Sequence, residues 1–290
     1  MNKNFNLSEK QFFTMYKAAK LLLFKDILPA KNKPIAILTG GQPGAGKSGI
    51  VLKSKKEFSE MKRNPIILDG DKYRGLYPKS IYIANEYPEL YLDITNEITG
   101  PIMGKLIECA IDGGYDFIRE GTLNSAEIVD QLLGSSNNYK IIIRLLAVSR
   151  EESLLSIFER YIFMKKNMNI ARFTTIEAHD KRFNQFIKTA REQANKGIEI
   201  EVYERGKEIS DPLMIYKSSS KNNEYSNFEK AVEGGKNNSF IQCMKTAKVR
   251  LNRIEYELKK TEKFNSKVFE QLDELTKIIN IAVRNNEKIE

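Results

Sequence analysis

The sequence contains no apolar run close to the roughly 20 residues that a membrane-spanning helix needs. Its longest apolar stretch near the N-terminus covers only residues 21–24. This stretch is flanked by Lys20 and Lys25 and lacks the small-residue cleavage site of a secretory signal. We therefore expect a cytoplasmic protein that has no membrane partner.

Cysteine and histidine are both scarce. Cys109 and Cys243 lie far apart in the chain and fit no metal-binding or redox spacing, which is typical of free thiols in a reducing compartment. The one histidine, His179, excludes a histidine-rich metal site, and we interpret it as a structural residue.

Basic residues outnumber acidic ones, and the formal net charge of +9 favours an anionic partner. Nucleic acids and phosphorylated small molecules both fit. We favour a small molecule, because basic surfaces are common around small anionic ligands as well. The length of 290 residues allows one large α/β domain with an appendage, or two modest domains.

Short apolar segments alternate with helical ones through the first two thirds of the chain. Buried parallel strands are predicted at residues 34–39, 65–68, 115–118 and 140–148, and an edge strand at 198–203. Helices are predicted at about 8–28, after the glycine-rich segment to 61, and at 86–112, 151–165 and 174–196. This order predicts an α/β fold, a P-loop kinase-type parallel sheet with helices on both faces.

The composition changes after residue 216. Residues 217–240 are rich in Ser, Asn, Lys and Gly, which predicts a polar linker or loop. In residues 241–290 apolar side chains recur at heptad spacing, with Thr261 and Asn265 on the same seam. We predict a kinase domain at 1–216 and a helical hairpin or coiled-coil-like tail at 241–290. The tail either packs on the main domain or mediates oligomerisation.

One segment matches the phosphate-binding pattern G-x-x-x-x-G-K-[ST] in full, between a predicted strand and a predicted helix. It reads Gly41-Gln42-Pro43-Gly44-Ala45-Gly46-Lys47-Ser48. The glycines allow backbone N–H groups to surround a phosphate at a helix N-terminus. Lys47 is expected to reach the β and γ phosphates of ATP, and the Ser48 hydroxyl to bind Mg²⁺.

Carboxylates follow the next two predicted strands, at the edge where ligands bind. Asp69 and Asp71 end one strand, and one of them could be the base for an acceptor hydroxyl while the other caps backbone. We favour Asp71 as the functional one. Glu120 ends the other strand, where it either binds the acceptor or a metal-bound water, or caps backbone.

Two arginines follow the fourth strand. Arg160 lies late in a helix and Arg172 in the loop beyond it, where the lid of a small-molecule kinase closes over ATP. The planar guanidinium can donate hydrogen bonds to two phosphate oxygens at once, and it neutralises negative charge on the phosphoryl group during transfer. No Asn-Lys pair is followed by the aspartate that guanine-specific switches need, which also favours a kinase.

The ordered set of motifs resembles the zeta toxins, the kinase toxins of bacterial epsilon–zeta toxin–antitoxin systems. The matching motifs cover about residues 8–205, and only the P-loop is specific by itself. They are GGQPGAGKS at 40–48, ILDGD at 67–71 with YR at 73–74, EGT at 120–122, ERY at 159–161, and AR at 171–172 before Thr174.

The resemblance implies ATP-dependent phosphorylation of a sugar hydroxyl of UDP-N-acetylglucosamine. It maps the base onto Asp71, and the lysine onto Lys47. It also implies that a small helical antitoxin covers the nucleotide site. The remaining mapped residues are Arg74, Glu120, Thr122 and Asn124 for substrate binding, and Arg160 and Arg172 for phosphate binding.

Two positions depart from the family pattern, and both concern the acceptor pocket. Asn124 stands where well-known members carry an arginine, and Tyr77-Pro78 stands where they carry His-Pro. The alternatives are therefore a P-loop kinase for another acceptor, including a nucleic-acid 5′-hydroxyl, and a nucleotide-binding regulatory module whose working part is the C-terminal tail.

Overall fold

The computed structural model describes residues 5–168, 170–183, 185–208, 210–261 and 266–287. Within them, six strands form one sheet. They are β1 Ile35–Gly40, β2 Ile66–Asp69, β3 Phe117–Glu120, β4 Lys140–Leu146, β5 Glu199–Glu204 and β6 Leu213–Lys217. The helices are α1 Glu9–Phe24, α2 Ser48–Glu60, α3 Asp71–Arg74, α4 Ser80–Glu86, α5 Tyr91–Asp112, α6 Glu127–Gly134, α7 Arg150–Asn167, α8 Ile176–Phe183, α9 Gln185–Asn195, α10 Phe228–Met244, α11 Ala247–Thr261 and α12 Ser266–Asn286.

The sheet is mostly parallel and runs in the order β2-β3-β1-β4-β5-β6. Strands β1 to β5 pair in parallel, and β6 runs antiparallel to β5. The predicted parallel α/β sheet is confirmed. The prediction of an edge strand at 198–203 was wrong, because β6 covers the free side of β5, whose central residues are all buried.

Helices cover both faces of the sheet, as predicted. Ala36 and Leu38 of β1 belong to a large core that also takes in side chains of α1 and α5. Ile37, between them, points to the other face and packs with Val51 and Phe58 of α2. This alternation along one strand places apolar residues on both faces, as a doubly covered sheet requires.

Local signals set several helix ends. The predicted capping box of α1 is present, since Ser8 and Gln11 bond each other's backbone N–H groups. Helix α7 begins after Ser149, whose hydroxyl accepts the N–H of Glu152 at 3.2 Å. Among the described residues, no helix is both long and apolar enough to cross a membrane.

Most of the segment predicted as a polar linker is helical. Helix α10 begins after Asn227, whose side chain accepts the N–H of Lys230, and it packs on β5 and β6. Phe228, Ala231 and Val232 are buried on one face, while polar residues occupy the rest. The composition hid this helical spacing, which a search for i, i+3, i+4 apolar positions would have detected.

The predicted helical tail consists of α11 and α12, which pack on each other and on α7. Leu251, Leu258, Leu272 and Ile279 join side chains of α7 such as Phe158 in a second apolar core. Thr261 is half-buried at the end of α11, and Asn265 lies outside the described residues. The tail is therefore a helical hairpin seated on the helix that carries Arg160.

Candidate active site

The phosphate-binding loop follows β1 and leads directly into α2. Gly41, Gly44 and Gly46 adopt φ values of 145°, 78° and 94°, a region that favours glycine. A Cβ on Gly44 would lie 2.1 Å from the carbonyl oxygen of Ser153 in α7. The glycines therefore allow the positive φ angles of the loop, and Gly44 also allows its close contact with α7.

The side chain of Gln42 faces the interior rather than the ligand side. Its Nε2 donates to the carbonyl oxygen of Val148 at 2.8 Å and to Ser153 Oγ at 3.3 Å. Ala45 is also fully buried. These two predicted nucleotide-binding residues can therefore contact a phosphate only through their backbone.

Lys47 turns back onto the loop itself. Its ammonium donates to the carbonyl oxygens of Gly41 at 3.0 Å and Gln42 at 2.9 Å. Burial lowers the pKa of Lys47 to about 8; the charge of Glu120 opposes the shift and that of Arg160 adds to it. A bound phosphate would supply the anionic partner that favours the charged ammonium.

A cavity of about 290 Å³ lies beside the loop, where β2 and β3 end. It brings together the side chains that the sequence singled out in separate segments. Its lining includes Pro43, Lys47, Asp69, Asp71, Arg74, Glu120, Thr122, Asn124, Arg160 and Arg172. The other residues of the predicted phosphate-binding loop lie next to this lining rather than in it.

Asp71 lies between two arginines. Its Oδ1 accepts from Arg74 Nε at 2.8 Å, and its Oδ2 lies 2.5 Å from Arg172 Nη1. Burial alone would raise the pKa of Asp71, but the charges of Arg172 and Arg74 outweigh it, and the pKa falls below its usual range. Asp71 is therefore an ionised carboxylate that can accept a hydrogen bond from a hydroxyl.

The neighbouring carboxylate has a backbone partner. Asp69 Oδ1 accepts the N–H of Asp71 at 3.0 Å, which fixes the turn between β2 and α3. This contact matches the capping alternative that the sequence left open for Asp69.

Arg74 is held from several sides in addition to its bond with Asp71. Its Nη1 donates to Thr95 Oγ1 and its Nη2 to Asn96 Oδ1, both at 2.6 Å. Both acceptors belong to α5. The long helix α5 thus orients Arg74, and through it the carboxylate of Asp71.

The loop after β3 is attached to β1. Thr39 Oγ1 donates to the carbonyl oxygen of Gly121 at 3.2 Å and accepts its N–H at 3.1 Å.

Burial raises the pKa of Glu120, and the nearby charge of Asp69 raises it further. Glu120 is thus easier to protonate than Asp71, so these two of the three acids that line the cavity differ in acid strength.

A second cavity, of about 340 Å³, lies on the other side of this loop. It shares Arg119, Gly121, Thr122 and Asn124 with the first cavity, and its remaining lining is more apolar. The two spaces flank one short stretch of chain, which a long ligand could contact from both sides.

Arg160 points from α7 into the first cavity. Its Nε is buried and makes no hydrogen bond to the residues that the structure describes. Burial lowers the pKa of Arg160 to about 10, and the charge of Arg172 adds to the effect. A buried donor without a partner, beside a second cation, fits the oxygens of a phosphate group.

Ser48 and the acids fit a magnesium ion by their chemistry. Ser48 is exposed at the first residue of α2, directly after Lys47, and Asp69 lines the adjacent cavity. Hydroxyl and carboxylate oxygens are ligands that Mg²⁺ accepts, and it takes others from phosphates and water.

Sequence reasoning missed some residues of the cavity. Arg119 and Arg182 line it, and Arg119 donates to the carbonyl oxygen of Leu68 at 3.1 Å. Asn96, from α5, lines it as well. Arg119 stands beside Glu120 in the strand and could have been noticed, whereas Arg182 and Asn96 lie in helices whose place over the sheet no local pattern fixed.

His179 is fully buried below the loop. Its Nε2 lies 2.8 Å from Ser153 Oγ, and its Nδ1 lies 2.9 Å from Asp180 Oδ1. Burial lowers the pKa of His179. Because Ser153 also contacts Gln42, this histidine joins α8 to α7 and to the phosphate-binding loop.

A glycine-rich loop follows a central parallel strand, acids end neighbouring strands, and one arginine lies on the helix after β4 with another in the loop beyond it. This is the arrangement of a P-loop kinase-like protein. Within that class, the chain belongs to the zeta toxin family, whose family model matches residues 19–219.

Two relatives show how far the likeness extends. Toxin PezT of Streptococcus pneumoniae is 32% identical over 182 residues, which is 61% of this chain and 70% of that protein. Toxin zeta of Enterococcus hirae is 29% identical over 158 residues, 52% of this chain and 53% of that protein. The chain thus spans about half the length of the second relative.

Solved structures share the fold. A structure from the PezAT chromosomal toxin–antitoxin system of S. pneumoniae has a TM-score of 0.63 at 24% identity, covering 87% of this chain and 98% of that one. The AvrRxo1-ORF1:ORF2 complex with ATP has a TM-score of 0.51 at 12% identity, covering 79% and 71%. At these identities the likeness concerns the fold alone.

Proposed function

We propose that this protein is an ATP-dependent phosphotransferase that phosphorylates a sugar hydroxyl of UDP-N-acetylglucosamine or a related UDP-sugar. It acts in the cytoplasm as the toxin of a toxin–antitoxin system. The observation that carries the proposal is one cavity in which Asp71 lies with Lys47, Arg160 and Arg172. This set combines a hydroxyl acceptor with cations for a transferring phosphoryl group.

The phosphate-binding loop supports ATP as the donor. Its backbone and Lys47 would hold the β and γ phosphates, and Arg160 and Arg172 would neutralise charge on the transferring group. An arginine has five N–H donors, so the bond from Arg172 to Asp71 leaves others for phosphate oxygens. A structural neighbour whose fold is shared was solved with ATP.

Mg²⁺ would be held by the Ser48 hydroxyl at the start of α2 and by the phosphates of ATP. When bound, it would supply positive charge that offsets the negative charge of the phosphates.

Transfer would proceed by in-line displacement. The acceptor hydroxyl oxygen forms a bond to the γ phosphorus, the bond from that phosphorus to the β–γ bridging oxygen breaks, and ADP leaves. Asp71 orients the hydroxyl and receives its proton. Its low pKa makes it a weak base, which suits a loose transition state in which the hydroxyl needs little activation.

The acceptor side is built from Glu120, Thr122, Asn124 and Arg74. Thr122 and Asn124 line both cavities, which favours an acceptor too long for one of them. Arg119 and Arg182 add positive charge, as the diphosphate of a UDP-sugar would require. Asn124 replaces a charged contact of the family with an amide, which is compatible with a related UDP-sugar.

An antitoxin is the proposed protein partner. A structural neighbour comes from a toxin–antitoxin system, and another neighbour is a two-component complex. A small helical antitoxin that covers the nucleotide site would be attracted to the arginines of the cavity through its acidic residues.

A 5′-hydroxyl of an oligonucleotide is the second candidate acceptor, favoured by the net charge of +9. It predicts binding to oligonucleotides that weakens steeply as the salt concentration rises.

Mass spectrometry of the reaction products separates these candidates. The protein, ATP and Mg²⁺ are incubated with UDP-N-acetylglucosamine, with related UDP-sugars, and with a 5′-hydroxyl oligonucleotide. A UDP-sugar that gains one phosphoryl group, and fails to do so with Asp71→Asn, supports the proposal. Phosphorylation of the oligonucleotide alone keeps the kinase and rejects the UDP-sugar. ATP binding without transfer to any of them supports a regulatory module.

A further inference from the structure

The phosphate-binding loop has a cation on its outer side that no sequence motif indicated. Arg205, directly after β5, donates from Nε to the carbonyl oxygen of Ala45 at 2.8 Å and from Nη2 to that of Gly44. A Cβ on Gly46 would lie only 3.3 Å from Arg205 Nε. The guanidinium therefore lies against the backbone of the loop.

These contacts fix the orientation of a peptide unit. In a planar trans peptide, the C=O and the following N–H point in opposite directions. The bond from Arg205 to the Ala45 carbonyl therefore turns the N–H of Gly46 away from Arg205. Arg205 does not line the cavity, so a Gly46 N–H turned away from it would face the side on which a phosphate-binding loop holds its ligand.

Arg205 is itself held by a carboxylate of α7. Glu152 forms an ion pair with it, and Ser156 Oγ accepts from Arg205 Nη1 at 3.1 Å. The side chain of Glu152 is only 12% exposed, so its charge needs local partners.

Glu152 has a second cationic partner, which comes from the C-terminal hairpin. Arg250 of α11 forms an ion pair with Glu152 and donates from Nε to Glu159 Oε1 at 2.9 Å. Glu159 directly precedes Arg160, which points into the cavity. One hairpin arginine is thus connected to the phosphate-binding loop through Glu152 and Arg205, and it contacts the residue that precedes a cavity arginine.

From these contacts we propose that Arg250 is a positioning residue for nucleotide phosphates, acting through Glu152 and Arg205 on the backbone of the phosphate-binding loop. If Arg250 is lost, Glu152 keeps one cation instead of two and its carboxylate is free to turn, so Arg205 loses the fixed position of its acidic partner. The loop then spends less time in the conformation that binds phosphate. The proposal rests on the nucleotide binding proposed above.

The test measures the Kd of a non-hydrolysable ATP analogue by calorimetry, without acceptor and at a temperature where every variant is folded. Arg250→Gln and Arg205→Gln should each raise the Kd about fivefold or more, and the double variant should show much less than the product of the two effects. Arg250→Lys keeps the positive charge but not the planar guanidinium, so its Kd should lie between those of wild type and Arg250→Gln.

The matched control is another ion pair between the same two helices. Lys166 of α7 pairs with Glu257 of α11 at a more exposed position, away from the loop. Lys166→Gln should leave the Kd at its wild-type value. If the Arg250 ion pairs served only stability, Arg250→Gln and Lys166→Gln would each change the melting temperature, and neither would change the Kd.

Two results would overturn the proposal. One is a wild-type Kd in folded Arg250→Gln, or in Arg250→Lys if the glutamine variant does not fold. The other is strict additivity of the Arg205 and Arg250 effects. Failure of the nucleotide proposal itself looks different, because the wild-type protein would then not bind the analogue at all.

Discussion

Asp71 shows how single residues in this cavity depend on their neighbours. Two arginines keep it ionised despite burial, and one of them is fixed by Thr95 and Asn96 of α5. Glu120, in the same cavity, has its pKa shifted in the opposite direction. Environments that separate the pKa values of two acids are a common feature of sites that carry out proton transfer.

We expect Asp71→Asn to reduce kcat by about 100-fold or more, because general-base and orienting effects are of that order. The affinity for an ATP analogue should change little. Asp69→Asn is the matched control and should cost less, since its contact is with backbone. An unchanged kcat in Asp71→Asn would move the base to Asp69 or Glu120. Steady-state kinetics with the acceptor found by mass spectrometry checks this.

The buried histidine predicts a pH dependence of stability. The pKa of His179 is lowered by burial, so the unfolded chain binds a proton more readily than the folded one. The stability that His179 contributes is therefore complete above its ordinary pKa of 6.5 and is lost as pH falls below that value.

Urea unfolding between pH 5 and 7.5 checks this, with His179→Gln as the comparison. His179 is the sole histidine of the sequence, so the difference between the two pH profiles isolates its titration. The wild-type midpoint should fall more steeply towards acid pH than that of the variant. Parallel profiles would contradict the prediction and would mean that His179 titrates alike in both states.

At the scale of elements, α7 connects most of the site. Its first turns contact the phosphate-binding loop through Ser153, its middle carries Arg160, and its outer face receives the hairpin. The predicted lid is thus anchored to a helix that is packed on two sides. A change in the conformation of the phosphate-binding loop should therefore shift α7, and a shift of α7 should change the conformation of the loop.

Gly44→Ala tests the contact between the loop and α7. The added methyl would lie 2.1 Å from the carbonyl oxygen of Ser153 at a φ of 78°. Strain of this kind costs on the order of 1–3 kcal/mol, and relief requires the loop to move. We expect a lower melting temperature and a weaker affinity for ATP.

Gly104→Ala in α5 is the control, because nothing lies within 4 Å of its added methyl and no proline follows it. It should raise stability by about 0.5–1 kcal/mol, as alanine does in a helix interior. Equal melting temperatures of the two variants would contradict a close contact between the phosphate-binding loop and α7.

At the scale of the whole molecule, α7 belongs to an apolar core distinct from the largest one. The largest core lies against one face of the sheet, and the core that includes α7 joins it to α11 and α12. The boundaries at 216 and 240 remain predictions. The packing makes the hairpin a neighbour of the helix that carries Arg160.

Removal of residues 241–290 should therefore damage the rest of the protein. It exposes apolar side chains of α7, including Leu154, Phe158 and Tyr161, which are fully buried in the complete chain. We expect aggregation or a melting temperature lower by several degrees, together with weaker nucleotide binding. Size-exclusion chromatography and thermal unfolding measure both effects. A monomeric truncated protein with unchanged stability would show that the hairpin is a mere appendage.

The sequence alone determined the parallel α/β fold, the phosphate-binding loop and the family. Each of these depends on short runs of chain, namely apolar strands, a glycine pattern and motifs in order. It also predicted that Asp71 and Glu120 lie at one edge of the sheet, because the carboxyl ends of parallel strands meet there. The two lid arginines were predicted to close over the same site.

The tertiary structure decided everything that depends on contacts between distant segments. It placed β6 beside β5, found α10 in a segment of polar composition, and seated the hairpin on α7. It also brought Arg205 and Arg250 to one carboxylate, Glu152. These residues are 53 and 98 positions away from Glu152 in the chain, and only packing between helices, which no local pattern encodes, puts them next to it.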